Sequence, residues 1–168
     1  MKTYHQQKII FFSLKNNFAS AFIYGNKAIL VTDLNERSPE FMFSVQPALQ
    51  LHKVDDLIIK PANSNYKTSN FIMQDDQIQF YDYKILILSK KFNHKIFQGY
   101  PQFSAILIHD DPIIDLENIK TSFNADILLA DATNKAYNLK KYSIAAKKSA
   151  YILKILRKNP AYLIDLNK

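Results

Sequence analysis

The residues of this sequence with the clearest chemical potential stand in the segment AILIHDDPIID, residues 105–115. Four apolar residues lead into His109, Asp110 and Asp111, and Pro112 ends the run. Imidazole and carboxylate groups are common ligands of divalent metal ions, and open α/β sheets place their ligand sites at the carboxyl ends of strands. The segment is therefore a candidate metal site.

Two further aspartates end other apolar runs: Asp33 ends AILVTD, and Asp131 ends ILLAD. If these strands are neighbours, a histidine and several carboxylates converge at one sheet edge, as hydrolytic metal sites require. The alternative is structural, because an aspartate at a strand end commonly accepts hydrogen bonds from the following turn. The other three histidines show neither His-x-His nor HExxH spacing. The structural interpretation is favoured, and we expect no bound metal and no cofactor.

The positive charge of the chain is concentrated near its C-terminus. The whole chain carries +7, but residues 134–168 hold nine basic residues and one acidic residue, a net charge of +8. Within this segment NLKKYSIAAKKSA predicts a helix, on which four lysines fall within an arc of about 120°. Ile144 lies among them, and Leu139, Tyr142 and Ala146 lie on the opposite side. The four lysines are Lys140, Lys141, Lys147 and Lys148.

Clustered lysines attract phosphate groups without reading bases, so this helix is a candidate nucleic-acid-binding surface. The alternative is a solvent-facing helix surface in a lysine-rich chain, and the charge alone favours that alternative.

Several classes of site are excluded by composition. The chain has two glycines and no phosphate-binding glycine motif, and it has no cysteine for thiol catalysis, a zinc–thiolate site or a disulfide. No apolar run approaches the roughly 20 residues of a membrane-spanning helix, and the apolar run near the N-terminus is too short for a signal peptide. We therefore expect a soluble chain.

The hydrophobic patterns predict a mainly antiparallel β half followed by an α/β half. KIIFFSL, FASAFIYG and KAILVTD read as strands, and a helix is expected to open at Ser38 and to kink at Pro47. In FYDYK, residues 80–84, strand alternation would place Tyr81 and Tyr83 on one face as a candidate stacking platform. The end of the chain reads β-α-β-α-β, with a short helix over 113–124 and a final strand AYLIDL, which implies parallel pairing.

The order of these elements resembles a known family. The opening IIFFSLKNNFASAFIYGNKAILVTD, the strand and turn AILIHDDPIIDLENI, and the closing segment from ADILLADATN to AYLIDL resemble the C-terminal metallo-β-lactamase-like domain of the ComEC competence family, the inner-membrane channels for DNA uptake. The resemblance implies an α/β fold of αββα type, abbreviated and with mixed sheets. It also implies that residues 1–168 form one domain of a larger membrane protein, on the outer (periplasmic) face of the inner membrane, where it handles DNA beside the channel part of the same protein.

The resemblance also bears on the site. Metal-binding members carry a His-x-Asp-x-Asp-His type of motif, of which only His109 and Asp111 stand in comparable places here, because PIID replaces the terminal histidine. Asp33 and Asp131 resemble the acids that end the early and the late strand.

We therefore expect a catalytically degenerate domain with a structural or DNA-guiding role, which binds DNA weakly and electrostatically through the four lysines. One alternative is an active metal-dependent nuclease or hydrolase that uses Asp33, His109, Asp111 and Asp131. Another is a module in which Ile144 and the lysines bind a protein partner or a membrane surface.

Overall fold

The computed structural model of the protein describes residues 5–93, 102–117, 119 and 123–168. The chain divides into two compact units. The first unit consists of Met1–Ala62 and Leu156–Lys168, and the second of Asn63–Ile155. The first unit therefore takes its residues from both ends of the chain. The prediction that residues 1–168 form one domain stays a prediction.

The first unit holds a five-stranded sheet. Its strands are β1 (Gln7–Phe11), β2 (Ala19–Tyr24), β3 (Lys27–Thr32), β4 (Asp56–Lys60) and β12 (Tyr162–Asp165). The order is β12-β1-β2-β3-β4, in which only β3 and β4 pair in parallel. Gly25 (φ 58°) allows the tight turn between β2 and β3.

A helical segment covers one face of this sheet. It opens where Phe41 N donates to Ser38 Oγ at 3.2 Å, as the sequence predicts. A π-helical turn, Phe41–Val45, leads into α1, Gln46–Leu51. Pro47 lacks an N–H and cannot continue a regular helix, which explains the irregular turn before it. The side chains buried against the sheet are Phe41, Val45 and Leu49.

The second unit holds a seven-stranded sheet. Its strands are β5 (Tyr66–Lys67), β6 (Phe71–Gln74), β7 (Gln77–Phe80), β8 (Tyr83–Leu88), β9 (Phe103–Ile108), β10 (Ala125–Asp131) and β11 (Leu153–Leu156). The order is β11-β10-β9-β8-β7-β6-β5, antiparallel from β5 to β8 and parallel from β8 to β10. The parallel strands are almost wholly apolar, as strands buried on both faces are.

One helix of 14 residues, α2 (Ala136–Ser149), packs on the second sheet. Leu139 and Tyr142 are buried in the same apolar cluster as Ile108 and Leu128, and Ala146 is buried as well. This confirms the predicted inner face of the helix. No helix in the described residues is long and apolar enough to cross a membrane.

The predicted place of the final strand is wrong. β12 pairs antiparallel with β1 in the first unit, in the register Lys8↔Asp165 and Phe11↔Tyr162, and the rings of Phe11 and Tyr162 stack 6.3 Å apart. A strand that the sequence analysis did not identify, β11, takes the position next to β10 instead. The final segment is therefore not part of the parallel ending.

The predicted stacking platform is wrong as well. Tyr81 and Asp82 form the turn between β7 and β8, and Phe80, paired with Tyr83, is fully buried.

Of the helix predicted over 113–124, residues 116, 117 and 119 are helical, and residues 118 and 120–122 lie outside the described residues. The predicted α/β class with mixed sheets is confirmed by the two sheets.

Candidate functional site

The ends of β9 and β10 bring the candidate residues of the second unit together. The two strands are parallel neighbours, with Ile108 beside Ala130, so the residues that follow them emerge at the same edge. His109 Nδ1 lies 2.7 Å from Asp131 Oδ2. The imidazole tautomer that fits this contact carries its proton on Nδ1 and donates it to the carboxylate oxygen.

Asp131 is almost fully buried, with 1% of its surface exposed. Its Oδ1 accepts hydrogen bonds from Thr133 N at 3.0 Å and from the Thr133 hydroxyl. Because that hydroxyl gives its proton to Asp131, its oxygen can accept one from Asp110 N, at 2.7 Å. Both carboxylate oxygens of Asp131 are thus engaged by donors of the protein.

Asp111 fixes the start of helix α2 from a different loop. Its Oδ1 accepts from Lys135 N at 3.1 Å and from Asn138 Nδ2 at 2.7 Å, and its Oδ2 lies 3.7 Å from Lys135 Nζ. Burial alone would raise the pKa of Asp111. The hydrogen bonds from Asn138 and Lys135, with the charges of Lys135 and Lys90, outweigh burial and hold that pKa below its ordinary value.

Tyr142 lies beneath Asp111 on the inner face of α2, and its hydroxyl donates to Pro112 O at 3.2 Å. Burial, and then the negative charge of Asp111, raise the pKa of Tyr142 to about 12. The phenol therefore stays protonated at neutral pH and remains a donor to the loop.

Asn134 ties the two loops together, and the sequence analysis did not identify it as a site residue. Its Nδ2 donates to Ile108 O at 2.8 Å and to Asp131 O at 2.9 Å, and its Oδ1 accepts from Asp111 N at 3.1 Å. It is 2% exposed. The turn ATN after β10 was the available signal, because asparagine in a turn commonly bonds nearby backbone.

Asp33, the remaining candidate, lies in the first unit at the end of β3. Its Oδ1 accepts from Phe18 N at 3.1 Å, and its Oδ2 accepts from Asn17 Nδ2 at 3.1 Å. These bonds hold the segment that enters β2. Asp33 is therefore a structural aspartate at a strand end, whose carboxylate accepts hydrogen bonds from a neighbouring loop.

The residues of the second unit do not fit a metal centre of the kind that the family resemblance implies. Among the described residues, no group of three or more histidine, cysteine, aspartate or glutamate side chains is placed to hold a metal ion. A cation at Asp131 would compete with the imidazole N–H and with Thr133, and one at Asp111 would face the Lys135 ammonium. The donors that surround both carboxylates are those of a hydrogen-bonded loop pair.

The outer side of helix α2 carries the predicted basic surface. Lys140, Lys141, Lys147 and Lys148 are all exposed, and we call them the lysine face. Lys148 Nζ lies 4.0 Å from Glu117 Oε1, whereas the other three make no ion pair within the described part of the chain. The chain therefore presents several unneutralised ammonium groups on one side of one helix.

Comparison with known proteins gives two findings. The family model of the ComEC C-terminal domain matches residues 9–166. Among solved structures, the chain is similar to the metallo-β-lactamase fold protein YhfI from Bacillus subtilis, at 10% sequence identity and a TM-score of 0.49, over 95% of this chain and 99% of that one. No curated protein matches the sequence.

Proposed function

The chain belongs to the ComEC C-terminal domain family, and from this premise we propose that it serves a DNA-uptake protein as a domain that guides DNA. In this proposal the lysine face holds DNA electrostatically, and the domain itself hydrolyses nothing. It lies on the outer (periplasmic) face of the inner membrane, attached to the channel part of the same protein. The family supports the setting, and the residues described above support the role.

The observation that carries the proposal is the arrangement of charge on α2. The four exposed lysines form two adjacent pairs on helix α2, and one helical turn separates the pairs. Three of the lysines have no carboxylate partner among the described residues. Ammonium groups held this way can replace the counterions of consecutive phosphates, which is the main source of affinity in sequence-independent DNA binding. The apolar inner face fixes the helix on the sheet, so the lysines act from a rigid support.

The absence of hydrolysis is supported by the loops after β9 and β10. A hydrolytic metal centre needs carboxylate and imidazole lone pairs directed at the cation. Here Asp131 is enclosed by His109 and Thr133, and Asp111 is used to hold α2. The same loops that would carry a metal in an active relative serve here to join two strands and a helix.

The proposal is tested by DNA binding as a function of salt. Fluorescence anisotropy with a labelled 20-base-pair duplex should show an affinity that falls about 100-fold between 50 and 200 mM salt if the four lysines each contact a phosphate. Changing all four to glutamine should flatten the slope of log K against log salt by about 3 to 4.

The matched control changes four exposed lysines that lie outside the lysine face: Lys15, Lys27, Lys67 and Lys84. This variant has the same net charge as the first, so a diffuse charge effect would weaken both equally. The proposal predicts that the control keeps most of the salt dependence. Equal losses in the two variants, or duplex binding that ignores salt, would contradict a DNA-guiding role for α2.

A further inference from the structure

We infer that the lysine face binds single-stranded DNA, with unpaired bases turned towards Tyr137 and Ile144 of helix α2. The inference rests on the proposed function and deepens it, because it names the form of DNA that the surface takes. It is carried by two exposed apolar side chains and by a groove beside them.

Tyr137 and Ile144 stand in the middle of the basic surface. They are 76% and 59% exposed, and they lie seven residues apart on nearly the same line along α2. On the helical wheel Lys140 and Lys147 fall on one side of this line and Lys141 and Lys148 on the other. The surface is therefore an apolar line, about 10 Å long, between two rows of ammonium groups.

This arrangement suits an unpaired strand better than a duplex. A duplex directs phosphates outwards and keeps the faces of its bases stacked inside, so Tyr137 and Ile144 would lie against charged groups. A single strand offers its phosphates to the lysines and its base faces to an aromatic or aliphatic side chain at the same time. Base stacking on aromatic side chains is the usual way in which proteins hold single strands without reading their sequence.

A groove next to this line gives a base room to enter. It has a volume of about 420 Å³ and lies between α2 and residues 114–117 of the second unit. Pockets that hold small organic ligands are of this size. Its apolar lining includes Ile114, Leu116 and Ala145, and Ile144 lines it at the border with the lysine face.

The charges at the two rims of the groove give the strand an orientation. Lys141 and Lys148 line the side formed by α2, and Asp115 and Glu117 line the opposite side. Lys148 Nζ lies 4.0 Å from Glu117 Oε1 across the groove, so Lys141 is the rim ammonium that makes no ion pair in the described part of the chain. The carboxylates repel phosphates, so the backbone of the strand must run along the lysine rim with its bases directed across the groove. Carboxylates also accept hydrogen bonds from the amino groups of bases, so they do not oppose the entry of a base.

The experiment compares single-stranded and duplex DNA of the same sequence. A labelled 20-nucleotide strand of mixed sequence, alone or paired with its complement, is titrated with the protein at constant salt. We expect the single strand to bind at least about tenfold more tightly, and Tyr137→Ala and Ile144→Ala each to weaken its binding about five- to tenfold. Duplex affinity should stay unchanged in both variants, and Tyr137→Phe should keep the single-strand affinity.

Two controls accompany these variants. Phe43→Ala removes an exposed aromatic side chain of the first unit, 82% exposed, and should alter neither affinity. Thermal unfolding of the variants should match the unsubstituted protein, because the changed side chains are exposed.

The outcomes separate the two proposals. Equal binding of both DNA forms, unaffected by Tyr137→Ala, overturns the inference and leaves the proposed function standing. Failure to bind either form overturns both. Binding to vesicles of anionic lipid that depends on Tyr137 and Ile144, without binding of the single strand, would assign the surface to a membrane instead.

Discussion

At the scale of single residues, the pairing of His109 with Asp131 decides what the ends of β9 and β10 can do. The imidazole Nδ1 donates to a carboxylate that is almost fully buried and that also accepts from Thr133. A buried carboxyl group whose two oxygens already accept from donors of the protein is satisfied within the fold, and a cation would have to displace those donors. The pair is thus best understood as part of the framework that joins two strand ends.

We predict that His109→Ala affects stability and not catalysis. Removing the imidazole leaves Asp131 buried without one of its donors, which should lower the free energy of unfolding by about 1–3 kcal/mol. A nuclease assay in Mn²⁺ or Zn²⁺ should show no cleavage for either protein, and chemical denaturation measures the loss of stability. His5→Ala, at an exposed position, is the control.

A different result would identify the alternative function. Stoichiometric metal in the purified protein, together with cleavage that His109→Ala abolishes, would make the domain a metal-dependent hydrolase.

The sequence alone located part of this residue cluster. His109, Asp111 and Asp131 could be identified because each follows a strongly apolar run, which marks a strand end. Thr133 could not be identified, and the turn ATN marked Asn134 only as a turn residue, because the bonds that both make to the loop after β9 depend on β9 and β10 being parallel neighbours in one particular register. A local pattern does not contain that information.

At the scale of elements, helix α2 is held in place by a residue outside it. Asp111, in the loop after β9, accepts from the backbone and side chains at the start of the helix. The residue at the N-terminal cap of the helix, Lys135, makes no capping bond with its own side chain. The apolar inner face holds the helix on the sheet, and the carboxylate of Asp111 fixes the first turn of the helix in addition.

These hydrogen bonds predict an effect of pH. Because the pKa of Asp111 is lower in the folded protein than its ordinary value of 3.8, the unfolded chain takes up its proton first as pH falls. The stability that Asp111 contributes is complete above about pH 5 and is lost as pH falls through the folded pKa.

The measurement compares the unsubstituted protein with Asp111→Asn in urea unfolding. The substitution should cost about 1–2 kcal/mol at pH 7, and the difference should shrink towards pH 3. The control is Asp126→Asn, an exposed position on β10, which should show no such trend. A constant difference from pH 7 to pH 3 would show that the charge of Asp111 does not hold the helix.

The elements also show where sequence patterns succeed and fail. The apolar strands β1 to β3, β9 and β10 were predicted because their apolar runs are long and uninterrupted. The prediction of a continuous strand through FYDYK was wrong because the turn at Tyr81 and Asp82 contains no glycine to mark it. Tyr81 nevertheless adopts a φ of 52°, a conformation that glycine usually supplies in turns. AYLIDL was identified as a strand and placed beside the wrong partner, because the partner of a strand depends on the tertiary fold and is not encoded in its local pattern.

At the scale of the whole molecule, the charge is divided unevenly along the chain. Residues 134–168 carry the entire excess of positive charge, while the rest of the chain is close to neutral. A potential concentrated on one segment attracts a polyanion to that segment and orients it before contact. The proposed DNA-guiding role therefore needs no high affinity, because direction comes from where the charge lies.

The edge pairing of the first and last strands has a mechanical consequence. β1 and β12 run antiparallel with Lys8 beside Asp165, so the chain enters β1 and leaves β12 at the same end of the pair. A force that separates residue 5 from residue 168 acts across the strands and breaks their hydrogen bonds one after another. Tension between residues 13 and 168 instead acts along the strands and strains all the bonds of the pair together.

We predict that single-molecule pulling separates β12 from β1 at a lower force in the first geometry than in the second. The chain has no cysteine, so handles can be attached at unique sites through His5→Cys or Ser13→Cys, each combined with Lys168→Cys. Equal rupture forces would contradict the strand pairing itself. If the prediction holds, the resistance of β12 to tension depends on where along the chain the force is applied, because the same hydrogen bonds break singly in one geometry and together in the other.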